Sequence, residues 1–118
     1  KDFSLHGYID MVNYKSKVIA EIKTSKTPWG QTKFDDLMQW RYYAFVSGFR
    51  KVLFITCTAE LTGIKTFYTD VKDEDLKKAE AWAKNAIDGI RAGKIDGGLD
   101  PTTGKCLGCN YRELCHFA

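Results

Sequence analysis

The 118-residue sequence lacks several features that would place it in common protein classes. No apolar run approaches the roughly 18 residues of a membrane-spanning helix, so we expect no membrane partner. Residues 1–6 lack the apolar core of a secretory signal peptide, and there is no internal repeat or low-complexity segment. The length suits one domain, and the 44% of hydrophobic residues argues against disorder. Without a secretory signal, the protein is predicted to be cytoplasmic.

The sequence also lacks a strong charge imbalance and the spread of cysteines that is typical of a disulfide framework. Its net charge of +3 does not by itself indicate a nucleic-acid partner. Cys57 lies in an apolar run and reads as a core residue, whereas Cys106, Cys109 and Cys115 crowd the C-terminus. This is not the framework of a small secreted domain, so a metal role is favoured over disulfides. Clustered thiolates suit Zn²⁺ or an iron–sulfur cluster.

Hydrophobic periodicity predicts strands alternating with helices. A strand with its hairpin partner precedes a helix with Thr32 as N-cap, and Gly48 suits the end of that helix. The second helix is capped by Asp73 and ends near Gly93. The predicted strands are 3–14, 17–25, 51–58 and 63–69, and the predicted helices are 32–47 and 74–92. This order predicts an α/β (α+β) fold with a mixed sheet. Because the chain opens without Met and already in a strand pattern, we expect an N-terminally truncated domain.

Two carboxylates and a lysine stand out on the first two predicted strands. Glu21 and Lys23 are two residues apart and therefore project from the same face, whereas the register across the turn leaves the position of Asp10 open. Carboxylates hold Mg²⁺ well, and the backbone carbonyl of Ile22 could add a ligand. Lys23 could orient an attacking water or stabilise negative charge, as phosphodiester hydrolysis requires. The alternative is an ordinary solvated sheet face.

A third motif follows on the predicted helix, where Gln39 and Tyr43 are four residues apart and share one face. Gly-x-x-Asp from Gly7, then Glu-x-Lys, then Gln-x-x-x-Tyr resembles the RecB-like branch of the PD-(D/E)xK nuclease superfamily. The resemblance implies a restriction-endonuclease-like core over residues 1–96, with a mixed central sheet flanked by helices. It further implies that Asp10 and Glu21 bind Mg²⁺ or Mn²⁺, that Lys23 assists catalysis, and that Gln39 and Tyr43 contact DNA or shape the site.

The cysteine-rich end, residues 97–118, is expected to pack on the same domain as a metal-binding tail. Its Cys-x-x-Cys-x₅-Cys pattern, Cys106, Cys109 and Cys115, resembles that of helicase-associated and CRISPR-associated iron–sulfur exonucleases. The resemblance implies a [4Fe–4S] cluster in the full-length protein, completed by an upstream cysteine that this sequence does not contain. Zinc, with His116 as a fourth ligand, is the alternative.

Basic and aromatic residues flank the predicted site in the sequence. Bases stack on aromatic rings and phosphates attract cations, so Lys26, Trp29 and Arg41 are predicted DNA contacts. Trp40 instead fits the apolar stripe of the predicted helix.

The leading functional hypothesis is a metal-dependent DNA nuclease or exonuclease acting in recombination, repair, phage replication or CRISPR adaptation. Its expected partners are DNA and a helicase or a recombination or CRISPR protein of the same pathways. The first alternative is a non-catalytic nucleic-acid-binding or scaffold module that retains the nuclease fold. The second is a zinc-stabilised interaction domain unrelated to nucleases.

Overall fold

The computed structural model describes residues 3–94 and Asn110, and within these residues it contains a four-stranded sheet and three helices. The chain divides into two compact units, residues 1–83 and 84–118, and the sheet lies in the first. The elements are β1 (Met11–Asn13), β2 (Val18–Thr24), α1 (Gln31–Asp35), α2 (Met38–Ser47), β3 (Lys51–Cys57), β4 (Lys65–Asp70) and α3 (Asp73–Arg91). Among the described residues, none of these helices has the length and apolar character of a membrane span.

The strand order in the sheet is β1-β2-β3-β4. Strands β1 and β2 are antiparallel, β2 and β3 are parallel, and β3 and β4 are antiparallel. A parallel pair needs a crossover connection, which here carries helices α1 and α2 between β2 and β3. The predicted α/β class and the mixed central sheet with flanking helices are therefore confirmed.

The core lies between the sheet and the two crossover helices. Phe34 of α1 stacks on Phe54 of β3, with ring centroids 4.6 Å apart and planes inclined by 14°. Trp40 of α2 meets the edge of Phe54 at 6.0 Å, and its indole N–H donates to the carbonyl of Phe34 at 2.9 Å. The buried cluster comprises Ile19, Phe34, Trp40, Ala44, Val52, Phe54 and Val71. Trp40 is therefore a core residue, as its helical spacing predicts.

The first strand is much shorter than predicted. The pattern predicts a strand over 3–14, but β1 covers only Met11–Asn13. A longer β1 would use its backbone to accept the N–H of Ile22. The side chain of Asp10 accepts that hydrogen bond instead, at 2.8 Å, and the chain bends at Asp10. The strand therefore ends where a carboxylate replaces the backbone as acceptor.

The single helix predicted over 32–47 is two helices. Leu37 is extended at φ −73° and ψ 132°, and it separates α1 from α2. Local side-chain bonds accompany the break, since the Trp40 indole donates to the carbonyl of Phe34 and the Arg41 guanidinium donates to that of Leu37, each at 2.9 Å. The predicted Thr32 cap is also wrong, because the N-cap residue of α1 is Gly30 and no side chain caps it.

The other predicted helix ends, at Gly48 and Asp73, agree better with the ends that the structure shows. Gly48 adopts φ 74° at the end of α2, and its N–H donates to Ala44 at 2.9 Å, which confirms the predicted stop. Helix α3 begins at Asp73 itself, so this residue lies in the first turn instead of capping it. Near the end of this helix, Ile90 is 65% exposed.

Candidate active site

Strand β2 carries the first two residues of the candidate site. Glu21 and Lys23 lie on the same face, and the ammonium nitrogen of Lys23 is 2.5 Å from Oε1 of Glu21. This is the face that packs toward α2, because Ile19, two residues earlier on the strand, belongs to the core cluster. The pair is therefore held at the border of the core, where charges are only partly screened by water.

Asp10 lies next to this pair because of the register between β1 and β2. Met11 pairs with Ala20, so the same register continued by one residue places Asp10 opposite Glu21. Oδ2 of Asp10 accepts the backbone N–H of Ile22 at 2.8 Å. In an extended strand the N–H and C=O of one residue face the same neighbouring strand. The carbonyl of Ile22 therefore faces the same edge as Asp10.

Among the ionisable groups of the described residues, Glu21 is distinguished by its burial and by an unpartnered carboxylate oxygen. The residue is 2% exposed, and its Oε2 has no hydrogen-bond partner among the described residues. Burial raises the pKa of Glu21 above its ordinary value, and the negative charge of Asp10 raises it further, while the hydrogen bond and charge of Lys23 act in the opposite direction. An unpaired buried carboxylate oxygen is unfavourable, so a cation at this oxygen would stabilise the ionised form.

The residues Gln39 and Tyr43 extend the pair into a hydrogen-bond chain. Lys23 Nζ donates to Oε1 of Gln39 at 2.8 Å, and Nε2 of Gln39 donates to the hydroxyl of Tyr43 at 3.2 Å. Both residues lie on one face of α2, as their spacing predicts. The structure thus brings all three sequence motifs together. Hydrogen bonds connect Glu21, Lys23, Gln39 and Tyr43 in that order.

Gly7 is required by the close approach of the N-terminal segment to α2. A Cβ atom at this position would lie 2.8 Å from Cε1 of Tyr43 and 3.3 Å from Cε1 of Tyr42. The hydroxyl of Tyr42 also donates to the carbonyl of His6 at 3.1 Å. The glycine of the Gly-x-x-Asp motif therefore allows this segment, and with it Asp10, to pack beside the ring of Tyr43.

We expect Gly7→Ala to lower the free energy of unfolding by about 1–3 kcal/mol, the usual effect of forcing an extra carbon into a packed contact. Gly30→Ala is the matched control, because nothing lies within 4 Å of its added Cβ. Denaturant unfolding of both variants measures the difference. Adding Tyr43→Leu to Gly7→Ala should recover part of the loss, and additive effects of the two substitutions would contradict the contact.

Arg41 lies apart from this chain of hydrogen bonds. Its Nε donates to Asp75 of α3 at 2.8 Å, and its guanidinium lies 4.3 Å from the ring centroid of Trp40. With the bond to the carbonyl of Leu37, these contacts leave the side chain of Arg41 only 14% exposed. The structure therefore gives Arg41 a role in joining α2 to the first turn of α3, and its predicted DNA contact remains a prediction.

The other predicted DNA contacts lie on the loop after β2. Trp29 packs on Phe34 with centroids 5.3 Å apart, and its backbone N–H donates to the hydroxyl of Thr56 at 2.7 Å. The ammonium of Lys33 lies 4.2 Å from the centroid of the Trp29 ring. Lys26 is exposed. Trp29 is thus half-buried against the core, and only part of its ring is open to a ligand.

The cysteines at the C-terminus lie outside the described residues. This applies to Cys106, Cys109 and Cys115 and to His116. Cys57 is free and 3% exposed, which confirms its interpretation as a core residue. The predicted boundary at residue 96 also remains a prediction.

One aromatic residue near the site has no counterpart in the sequence-based predictions. Trp82 of α3 is half-exposed and contacts Tyr42 edge-on, with ring centroids 5.7 Å apart. In the sequence, Trp82 is distinguished only as a large aromatic residue among the polar positions of a predicted helix. Contact with α2 is a tertiary feature that this signal does not reveal.

The donor set at the site suits a hard divalent cation. Within residues 3–94 and Asn110, no three His, Cys, Asp or Glu side chains are placed to hold a metal ion together. The oxygen donors are therefore Asp10, Glu21 with its unpartnered Oε2, and the carbonyl of Ile22. Mg²⁺ is commonly held by one or two carboxylates while it keeps several waters, so these residues fit it.

Comparison with known proteins identifies the family of this chain. Searches of curated proteins and of solved structures found no match. The family model of the PD-(D/E)XK nuclease superfamily matches residues 1–116, nearly the whole chain. Members of this superfamily are typically metal-dependent nucleases that use Mg²⁺ or Mn²⁺. The mixed four-stranded sheet with its flanking helices agrees with their restriction-endonuclease-like fold. The chain therefore belongs to the PD-(D/E)XK nuclease superfamily.

Proposed function

We propose that this protein is a metal-dependent DNA nuclease of the RecB-like branch, and that it acts as an exonuclease. The observation that carries the proposal is the hydrogen-bond chain from Glu21 through Lys23 and Gln39 to Tyr43, with Asp10 beside it. An ordinary solvated surface does not account for a buried carboxylate that is linked through a lysine to two residues of a helix. A site that positions a cation and a phosphate accounts for this arrangement.

Asp10, Glu21 and the carbonyl of Ile22 would hold Mg²⁺ or Mn²⁺. When bound, the metal would neutralise phosphate charge and lower the pKa of a coordinated water. Lys23 has three N–H donors, of which Glu21 and Gln39 engage two. The third can donate to a phosphate oxygen or orient the attacking water. Because both contacts fix Nζ in advance, little reorganisation is needed when negative charge develops.

Gln39 and Tyr43 would position the substrate strand, and Lys26 and Trp29 would contact it on the loop after β2. Lys26 is exposed and free to approach a phosphate, and Trp29 offers part of its ring for stacking. Arg41 is the weakest of these proposed contacts because its guanidinium is already engaged by Asp75 and Leu37.

End-labelled single-stranded and double-stranded DNA, incubated with the protein and Mn²⁺, tests the exonuclease proposal. We expect a ladder that shortens from one end, and the labelled end that survives gives the polarity. Internal fragments of all sizes at the earliest times would contradict exonuclease action, while preference for RNA of the same sequence would contradict the DNA assignment.

A non-catalytic nucleic-acid-binding module is the second candidate. It is favoured by one observation, the lack of a third metal-binding side chain beside Asp10 and Glu21 in the described chain. Binding of DNA without cleavage at any concentration of Mn²⁺ or Mg²⁺ would support it.

We further propose that Cys106, Cys109 and Cys115 contribute to a [4Fe–4S] cluster in the full-length protein. The support is their Cys-x-x-Cys-x₅-Cys spacing. An anaerobic preparation of the full-length protein should then absorb broadly near ~400 nm. Stoichiometric zinc without this absorbance would contradict the cluster. Recombination, repair, phage replication or CRISPR adaptation, with a helicase or CRISPR partner, is the setting that a cluster-containing nuclease of this branch would have.

A further inference from the structure

A small apolar cavity borders the hydrogen-bond chain of the candidate site. It measures about 260 Å³ and is lined by Met38, Gln39, Tyr42, Tyr43 and Trp82, together with His6 and Gly7 of the N-terminal segment. Two of these residues, Gln39 and Tyr43, also belong to the chain that begins at Glu21. The cavity thus shares two residues with the proposed active site, and an occupant would contact Gln39, the residue that bonds to Lys23.

The aromatic rings around the cavity are held in fixed positions. Tyr42 and Trp82 meet edge-on at 5.7 Å, with planes inclined by 71°. Tyr42 and Tyr43 are 6.0 Å apart, and the hydroxyl of Tyr42 is bonded to the carbonyl of His6. Trp82 is nevertheless 51% exposed, although it is one of the largest apolar side chains of α3. The rings are therefore preorganised, and part of the indole remains available to a flat ligand.

We propose that this cavity binds one unstacked nucleobase of a single-stranded nucleic acid, next to the phosphate at the candidate site. The inference rests on the proposed nuclease function and specifies its substrate as a strand with at least one unpaired base. A base in a duplex is stacked on both faces and paired at its edge, so it cannot enter a cavity of this size. An unpaired base can leave its neighbours and stack on an aromatic ring instead.

The polar groups at the cavity also determine whether the site can distinguish one base from another. The amide of Gln39 gives its oxygen to Lys23 and one N–H to Tyr43, so little of it remains to read a base edge. The hydroxyl of Tyr42 donates to the carbonyl of His6, whereas that of Tyr43 accepts from Gln39 and keeps its own proton to donate. His6 also lines the cavity, but most of the lining is apolar, so stacking, which every base supports, should contribute more to binding than contacts with base edges.

The test measures binding of a labelled single-stranded oligonucleotide, with Ca²⁺ in place of Mg²⁺ to slow cleavage. We expect Trp82→Ala to weaken binding about 5- to 150-fold, the range for loss of one base–aromatic stack. Tyr68→Ala is the matched control, because Tyr68 is 61% exposed on β4 and lies outside this cavity. It should change the affinity by less than about twofold.

A second arm removes the base instead of the ring, and it does not depend on how a variant folds. Single abasic nucleotides are placed at successive positions of the strand. One position should weaken binding by the wild type as much as Trp82→Ala does, and should cause little further loss in that variant. Equal affinity of wild type and Trp82→Ala, or no sensitive abasic position, would overturn the cavity assignment.

These results separate the cavity from the proposed function. A wild-type protein that cleaves DNA with Mn²⁺ but shows no effect of Trp82→Ala or of abasic nucleotides refutes the base site alone. A protein that shows both effects but never cleaves refutes the nuclease and retains the base site. Failure to bind any single strand refutes the base site, and it refutes the nuclease as well only if double-stranded DNA is not cleaved with Mn²⁺ either.

Discussion

Replacing Lys23 by Ala is expected to reduce the rate of DNA cleavage by about 10²–10⁴-fold while leaving nucleic-acid binding largely intact. The lysine donates to Gln39 and lies 2.5 Å from Glu21, so its ammonium is fixed before any substrate arrives. A donor that is already in place contributes most where negative charge develops in the transition state. Its loss should therefore affect kcat far more than affinity.

Two further variants make this result specific. Lys23→Gln keeps a donor for Gln39 but removes the charge, so it should also be nearly inactive if the charge is what matters. Lys77→Ala removes an exposed lysine on α3 that has no part in the proposed site, and it should retain most of the rate. Single-turnover kinetics on one labelled strand measures all three, with thermal unfolding as the check on folding. Cleavage by Lys23→Ala within tenfold of wild type would remove Lys23 from the reaction.

The second large effect is expected for Glu21→Gln, which should abolish both metal-dependent cleavage and metal-dependent stabilisation. In the wild type, a metal ion at one hundred times its dissociation constant should raise the free energy of unfolding by about 2.7 kcal/mol. The amide cannot replace a carboxylate as an anionic ligand, so this increment should disappear. Thermal unfolding with and without Mg²⁺ measures it. Glu60→Gln, at an exposed glutamate, should retain it.

The same variant tests the raised pKa of Glu21 without metal. A carboxyl group whose pKa is higher in the folded state binds its proton more tightly there, so folding is favoured at low pH. That contribution is lost as the pH rises from the ordinary glutamate pKa through the raised value in the fold. Metal-free wild type should therefore lose stability across this window, while Glu21→Gln should not. Parallel pH profiles of the two proteins would contradict the burial of an ionisable Glu21.

Much of the candidate site could be predicted from local patterns in the sequence. The alternation of side chains along a strand places Glu21 and Lys23 on one face, and the helical spacing places Gln39 and Tyr43 on another. No local rule brings these two faces together. That depends on the parallel crossover between β2 and β3 and on the core contact of Trp40 with Phe54.

Sequence reasoning missed features that depend on specific side-chain contacts. The break between α1 and α2 at Leu37 is stabilised by side chains of later residues, Trp40 and Arg41, that bond to backbone carbonyls. Periodicity cannot show such bonds, so it predicts one continuous helix. The position of Asp10 likewise depends on a hairpin register, and the cavity depends on Trp82, which lies about forty residues beyond Gln39 and Tyr43 in the chain.

If Asp10 and Glu21 form a metal-dependent centre that cleaves phosphodiester bonds, cleavage should require both Asp10 and the metal. The most direct test is the cleavage of one end-labelled single strand by wild type and by Asp10→Asn, each with Mn²⁺ and with EDTA. We expect products only from the wild type with Mn²⁺. Equal cleavage by Asp10→Asn, or cleavage that persists in EDTA, would contradict it.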